Sequence, residues 1–102
     1  MTNENFKVIS QDGRELINTD SPLHPGFIIE DEIEARGLKK QDVARDLGIL
    51  PGHLSELIKE KRNVSATLAI RLEQLFQVDA EYWLRVQSGY DLIKARRKLS
   101  KV

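Results

Sequence analysis

The stretch KQDVARDLGILPGHLSELIK, residues 40–59, carries the spacing of two short helices joined by a tight turn. Val43, Ala44 and Leu47 recur at three- and four-residue intervals and line one face of a first helix, Lys40 to Leu47. Gly48 suits the positive φ that ends a helix and redirects the chain. Leu54 and Leu57 give a second helix, Pro51 to Lys59, an apolar face to set against the first. Ala44 falls where the two should cross, and a larger side chain there would push them apart. A small residue, a glycine four positions on, then two apolar residues at helical spacing is the order of a helix-turn-helix. Such pairs read DNA, although helix pairs with glycine turns also occur as plain packing.

Further helices are expected on both sides. His24-Pro25-Gly26 opens one, with Pro25 at a position where proline starts helices well, Ile29 and Ile33 inward, and Gly37 ending it. Ser65 is the expected cap of a fourth helix whose buried stripe is Leu68, Leu72, Leu75 and Phe76. Asp79 caps a fifth, with Val78 and Trp83 placed as a hydrophobic staple, and this helix leads to Lys94, Arg96, Arg97, Lys98 and Lys101. Near the N-terminus, Asp12-Gly13 is a hairpin signal flanked by Val8, Ile9, Leu16 and Ile17. A lone hairpin is marginal in water, so it should dock, find a partner strand or stay partly disordered. The expected organisation is an acidic arm over 1–23, an all-α helix-turn-helix domain over 24–94 and a basic tail over 95–102.

At 102 residues the chain suits one domain with a single core. It has no cysteine, which excludes disulfides and thiolate–metal sites. No apolar run nears the roughly 20 residues that span a bilayer, and residues 1–12 lack the blocks of a signal peptide. The expectation is a cytoplasmic protein that touches no membrane. Net charge is zero, yet residues 1–36 set three basic side chains against eight acidic ones, net −5, and the remainder carries +5. Such a division offers a basic face to phosphate and an acidic one to a basic partner. Helix-dipole matching is the plainer reading of the same pattern.

Residues for catalysis are few. His24 precedes a proline at a helix start, where capping or packing accounts for it. Glu30, Asp31, Glu32 and Glu34 are close neighbours on one helix and point in different directions, so a solvated face outweighs a metal site. No phosphate loop, nucleophile elbow or His-Glu ligand pair is present, and no enzyme, metal or cofactor is expected. Residues for DNA binding are better placed. The start of the third helix exposes Gly52, His53, Ser55 and Glu56, and these side chains can reach base edges or phosphate, Glu56 by accepting from a cytosine amino group. Lys39, Lys40 and Gln41 flank it at one end and Lys59, Lys61 and Arg62 at the other, suited to holding register on the backbone.

With these segments assembled, HPG at 24–26, LGILPGHLSELIKEKRNVS at 47–65 and EYWLRVQSGYDL at 81–92 resemble HigA-type antitoxins. These are the Xre-like, lambda-repressor-like helix-turn-helix antidotes of bacterial host-inhibition-of-growth modules. The resemblance covers residues 24–92, and its last motif is its most specific. It implies a five-helix, all-α homodimer that binds operator DNA in the major groove at its own operon and neutralises a small, basic, RelE-like messenger-RNA-cleaving toxin. Carried over by position, DNA contacts fall on Lys40, Pro51, Gly52, His53, Ser55 and Glu56, and phosphate contacts on Lys59, Lys61 and Arg62. The chain departs from the family at Lys39, Lys40, Leu50 and Pro51-Gly52-His53, which deprives the reading helix of a capping side chain and of donors. Glu60 also stands near a position where a glycine is common.

The apolar stripe of the last helix extends past what a five-helix core needs. Trp83, Gln87 and Tyr90 most simply pack as core against helices one and four, but with the stripe running on into Leu92 and Ile93 the five are taken together as the expected dimer interface, which would space two reading helices by roughly one DNA turn, about 34 Å. The toxin is expected on the acidic arm. Two other functions fit the same residues: a stand-alone transcription regulator, and a toxin-binding protein whose helix-turn-helix ignores DNA.

Overall fold

The computed structural model describes residues 22–100. Five helices follow one another among them, with no strand: α1 (Pro25–Ala35), α2 (Lys40–Leu47), α3 (Pro51–Ile58), α4 (Ala66–Phe76) and α5 (Ala80–Ser100). The Asp12-Gly13 hairpin expectation lies outside the described residues. α3 packs on α1 and α2, while α4 packs on α2 and, most extensively, on α5. Ile29, Val43, Leu47, Leu54, Leu57, Leu72, Phe76 and Trp83 form the core between them.

Three helices end alike. Gly37, Gly48 and Glu60 take φ of 64°, 71° and 65°. Behind each, a backbone N–H reaches five residues back: Leu38 to Ile33, Ile49 to Ala44, and Lys61 to Glu56, at 3.0, 3.0 and 2.8 Å. This closure satisfies carbonyls that the helix end would leave bare, and it needs the left-handed conformation. Glycine adopts it freely at two of the sites; Glu60 does so with a Cβ in the way.

Helix starts follow the sequence in two cases and depart from convention in two. His24 Nδ1 accepts from the Gly26 N–H at 2.9 Å, and Ser65 Oγ accepts from the Leu68 N–H at 3.1 Å. Lys39 and Leu50 precede α2 and α3 without a side-chain cap. Gly26 sits so close to α3 that a Cβ there would collide with the Leu57 carbonyl. Trp83 is fully buried, its indole donating to the Val78 carbonyl at 3.1 Å.

Two expectations change at the C-terminal end. Trp83 and Gln87 are 0% and 5% exposed within the single chain, so neither has surface left for a second copy. Trp83 is consumed by the core. Gln87 ties α5 to the α3–α4 loop: its Oε1 accepts from the Val64 N–H at 2.7 Å, and its Nε2 donates to Asn63 and Asp91. Residues 95–100 are not a separate tail but the last turns of α5.

Candidate nucleic-acid interface

α2 and α3 pack on one another, and the turn between them sets their register. Ala44 is buried at the inner face of α2. Arg71 on α4 reaches across to donate to the Leu47 carbonyl at 3.2 Å, and its guanidinium occupies the space that a Cβ at Gly48 would need. Gly48 therefore answers two demands, a positive φ and room for Arg71. Sequence reasoning found the first and missed the second, because nothing in the spacing of Arg71 marks it as a cap for a helix 24 residues earlier.

The start of α3 stands clear of the rest of the chain. Leu50, Pro51 and Gly52 are exposed, Leu50 to 76%, and a Cβ added at Gly52 would meet nothing. His53 and Ser55 are half-buried and Glu56 is exposed. With no side-chain cap, the first amides of α3 point outward at the positive end of the helix dipole and can donate to a phosphate or a base edge. α2 offers a similar uncapped start, flanked by the exposed Lys39, Lys40 and Gln41. A hollow between the two starts is lined by Lys40, Pro51, Ser55 and Lys59 together with Glu30 and Leu54. In the sequence Leu50 marks only a departure from the family; its exposed methyls are suited to a thymine methyl in the groove.

Two of the expected basic contacts are partly engaged. Arg62 Nε is hydrogen-bonded to Glu56 Oε1, and this bond holds the Glu56 carboxyl below the usual carboxylate range. Glu56 remains charged, and its charge is compensated by Arg62 rather than by solvent alone. Lys40 Nζ lies 3.8 Å from Glu30 Oε2. Lys39, Lys59 and Lys61 are exposed, with no ion pair among the described residues. The group that can neutralise phosphate thus brackets α3 at both ends, and a depleted, partly apolar reading edge lies between.

A helix-turn-helix family model matches residues 29–83, over half of the chain. The chain belongs to the helix-turn-helix family. Among curated relatives of this helix-turn-helix chain, virulence-associated protein I of Dichelobacter nodosus is 36% identical over 76 residues, which cover 74% of this chain and 70% of the relative. Among solved structures, the Pseudomonas aeruginosa antitoxin HigA with the higBA promoter is 33% identical with a TM-score of 0.74, covering 79% of this chain and 89% of that one. An addiction module antidote protein of a HigA family from Coxiella burnetii is 30% identical with a TM-score of 0.71, covering 78% and 88%. The five-helix Xre-like fold and the resemblance to HigA antitoxins read from the sequence both hold. No described helix is long and apolar enough to cross a membrane.

Proposed function

We propose that this helix-turn-helix chain is a non-enzymatic antitoxin that binds operator DNA as a homodimer, represses its own operon and neutralises a RelE-like messenger-RNA-cleaving toxin. The observation that carries the reading is the exposed, uncapped start of α3 between lysine-bearing ends, on a fold shared with a HigA solved with promoter DNA. In this arrangement α3 enters a major groove. Its first amides, His53 and Ser55 meet base edges, with the Glu56 carboxylate beside them compensated by Arg62, while Lys39, Lys40, Lys59 and Lys61 hold the phosphates.

For the dimer, the surviving part of the expected face is Tyr90, Leu92 and Ile93. These line a hollow with Leu23, Val86 and Gly89 whose apolar floor is edged by Arg85 and Arg96, and Leu92 is 49% exposed. Covering that hollow with its own symmetry mate removes apolar surface from water and fixes the spacing of two reading helices. A toxin that cleaves messenger RNA needs a basic surface, and the acidic N-terminal third of this chain is complementary to one.

The experiment is an electrophoretic shift on the DNA upstream of the chain's own reading frame, with and without a co-purified partner. A retarded band that His53→Ala and Ser55→Ala weaken, by about 1–3 kcal/mol for each lost base contact, supports the reading. A second reading, a toxin-binding protein that ignores DNA, is favoured by Pro51 and Gly52, which bring no side-chain donor. Under it the same substitutions leave every measured affinity unchanged.

A further inference from the structure

Gln87, Tyr90 and Asp91 close the most specific motif of the chain, and no contact with base or phosphate accounts for Gln87 and Asp91. Their polar atoms serve the loop between α3 and α4 instead. That loop carries Lys61 and Arg62, and its own backbone does little to hold it. The Lys61 N–H closes α3 on the Glu56 carbonyl at 2.8 Å, but Arg62, Asn63 and Val64 make no backbone–backbone hydrogen bond among the described residues. Side chains from α5 supply the missing restraint. Gln87 Oε1 accepts from the Val64 N–H at 2.7 Å, while its Nε2 donates to Asn63 Oδ1 at 3.2 Å and to Asp91 Oδ1 at 3.0 Å.

Asp91 decides which way that amide faces. Both hydrogens of Nε2 are engaged, one on each oxygen. Turned over, the amide would set its oxygen against the Asp91 carboxylate and would offer the Val64 N–H a second donor. Val64 is buried, so an unpaired N–H there is costly. A carboxylate one helical turn after Gln87 therefore keeps the amide oxygen on the loop. Asp91 itself is exposed, so packing does not explain it. Tyr90 beside it sets its ring edge-on against His24, centroids 4.6 Å apart, which pins this turn of α5 to the start of α1.

We propose that Asp91, acting through the Gln87 amide, is a positioning residue for DNA binding: it sets the α3–α4 loop so that Lys61 stands ready to neutralise a phosphate. The inference rests on the reading above that α3 and its flanking lysines bind DNA. Lys61 is exposed with no ion pair among the described residues, so the path of the loop fixes where its charge sits. A loop without the α5 brace would have to be ordered on binding, an entropic cost that the brace removes beforehand. Charge alone predicts the opposite sign. Deleting a carboxylate should strengthen attraction to phosphate, so weaker binding on loss of Asp91 reports the loop and not the charge.

The test measures the affinity of the full chain for the DNA upstream of its reading frame, by fluorescence anisotropy over a range of salt concentrations. At about 0.1 M salt Asp91→Ala should bind about fivefold or more weakly, with the slope of log affinity against log salt reduced by about 0.9 per copy. Asp91→Asn keeps an oxygen for Nε2 and should restore the parent affinity and slope. Lys61→Gln should cost nothing further in the Asp91→Ala background, because the contact it removes is already lost. Phe76→Leu, a core change at the far end of α4, should lower the thermal midpoint and leave the slope unchanged, which separates positioning from stability. A parent slope in Asp91→Ala, or a Lys61→Gln effect as large there as in the parent chain, overturns the inference and leaves DNA binding standing. So does an Asp91→Asn variant as weak as Asp91→Ala, or an Asp91→Ala chain whose circular dichroism shows it unfolded at the temperature of the titration. A parent chain that does not bind the upstream DNA overturns both.

Discussion

His24 shows how one residue of the opening motif is spent. It is 1% exposed, its Nδ1 accepts from the Gly26 N–H, and its ring meets Tyr90 edge-on with centroids 4.6 Å apart. Nδ1 must be unprotonated to accept, so the neutral ring carries its proton on Nε2. Burial lowers its pKa from the ordinary 6.5, against the opposing pull of Glu60, the Arg62 carbonyl and Asp91, with Lys94 reinforcing the shift. Below pH 6.5 the unfolded chain therefore binds more protons than the folded one, so stability is fully present above that pH and falls as pH drops through the lowered pKa. Urea midpoints measured at falling pH should decline from neutrality onward, and His24→Asn, which keeps a capping oxygen and cannot titrate, should flatten that decline. A parallel decline in the variant would assign the pH dependence elsewhere. Glu60 offers the opposite opportunity. It holds φ at 65° with a Cβ in place, so Glu60→Gly should raise stability by about 1 kcal/mol in equilibrium unfolding.

Elements are fastened to one another at a few sites where the fit is tight. Gly26 lets the start of α1 lie against the Leu57 carbonyl of α3, and backbone on both sides leaves nothing to swing aside. Gly26→Ala should therefore lose at least the upper end of the about 1–3 kcal/mol that overpacking costs, read as a lowered thermal midpoint. Gly52→Ala is the control, since its Cβ meets open space. Gln87 fastens α5 to the α3–α4 loop, and Gln87→Ala leaves the Val64 N–H unpaired inside the protein at a cost of about 1–3 kcal/mol. These same sites show what the sequence makes legible. Periodicity found all five helices, because each buries a stripe at helical spacing, and Gly37 and Gly48 marked two ends because only their backbone is free to turn there. For Trp83 and Gln87 the sequence leaves core and dimer interface both open, because an apolar stripe does not say which body it packs against. Only the position of α4 and of the Asn63–Val64 loop settles that both point inward. Arg71 at Gly48 and Arg62 at Glu56 were invisible for a related reason: each joins residues whose proximity follows from the packing of helices or the path of a loop, not from local pattern.

Across the whole molecule the two signs of charge are separated, α1 acidic and the ends of α3 and α5 basic, so a net charge of zero conceals a polar body. Attraction to DNA then depends on the basic side alone, and its strength should fall with salt in proportion to the phosphates neutralised. Lys59 and Lys61 are exposed with no ion pair among the described residues, so Lys59→Gln and Lys61→Gln should each reduce the slope of log affinity against log salt by about 0.9 per copy. Arg62 should behave differently, because it is already committed to Glu56. Arg62→Gln uncovers a carboxylate at the mouth of the groove and should weaken binding more than one phosphate contact accounts for. Adding Glu56→Gln to it removes that carboxylate, so the double variant should recover most of the loss. The comparison separates two roles for the same guanidinium. If Arg62 contacts phosphate in the complex, the slope falls as it does for the lysines and the second substitution restores nothing. If it screens Glu56, the slope barely moves and affinity returns when both members of the pair are neutral.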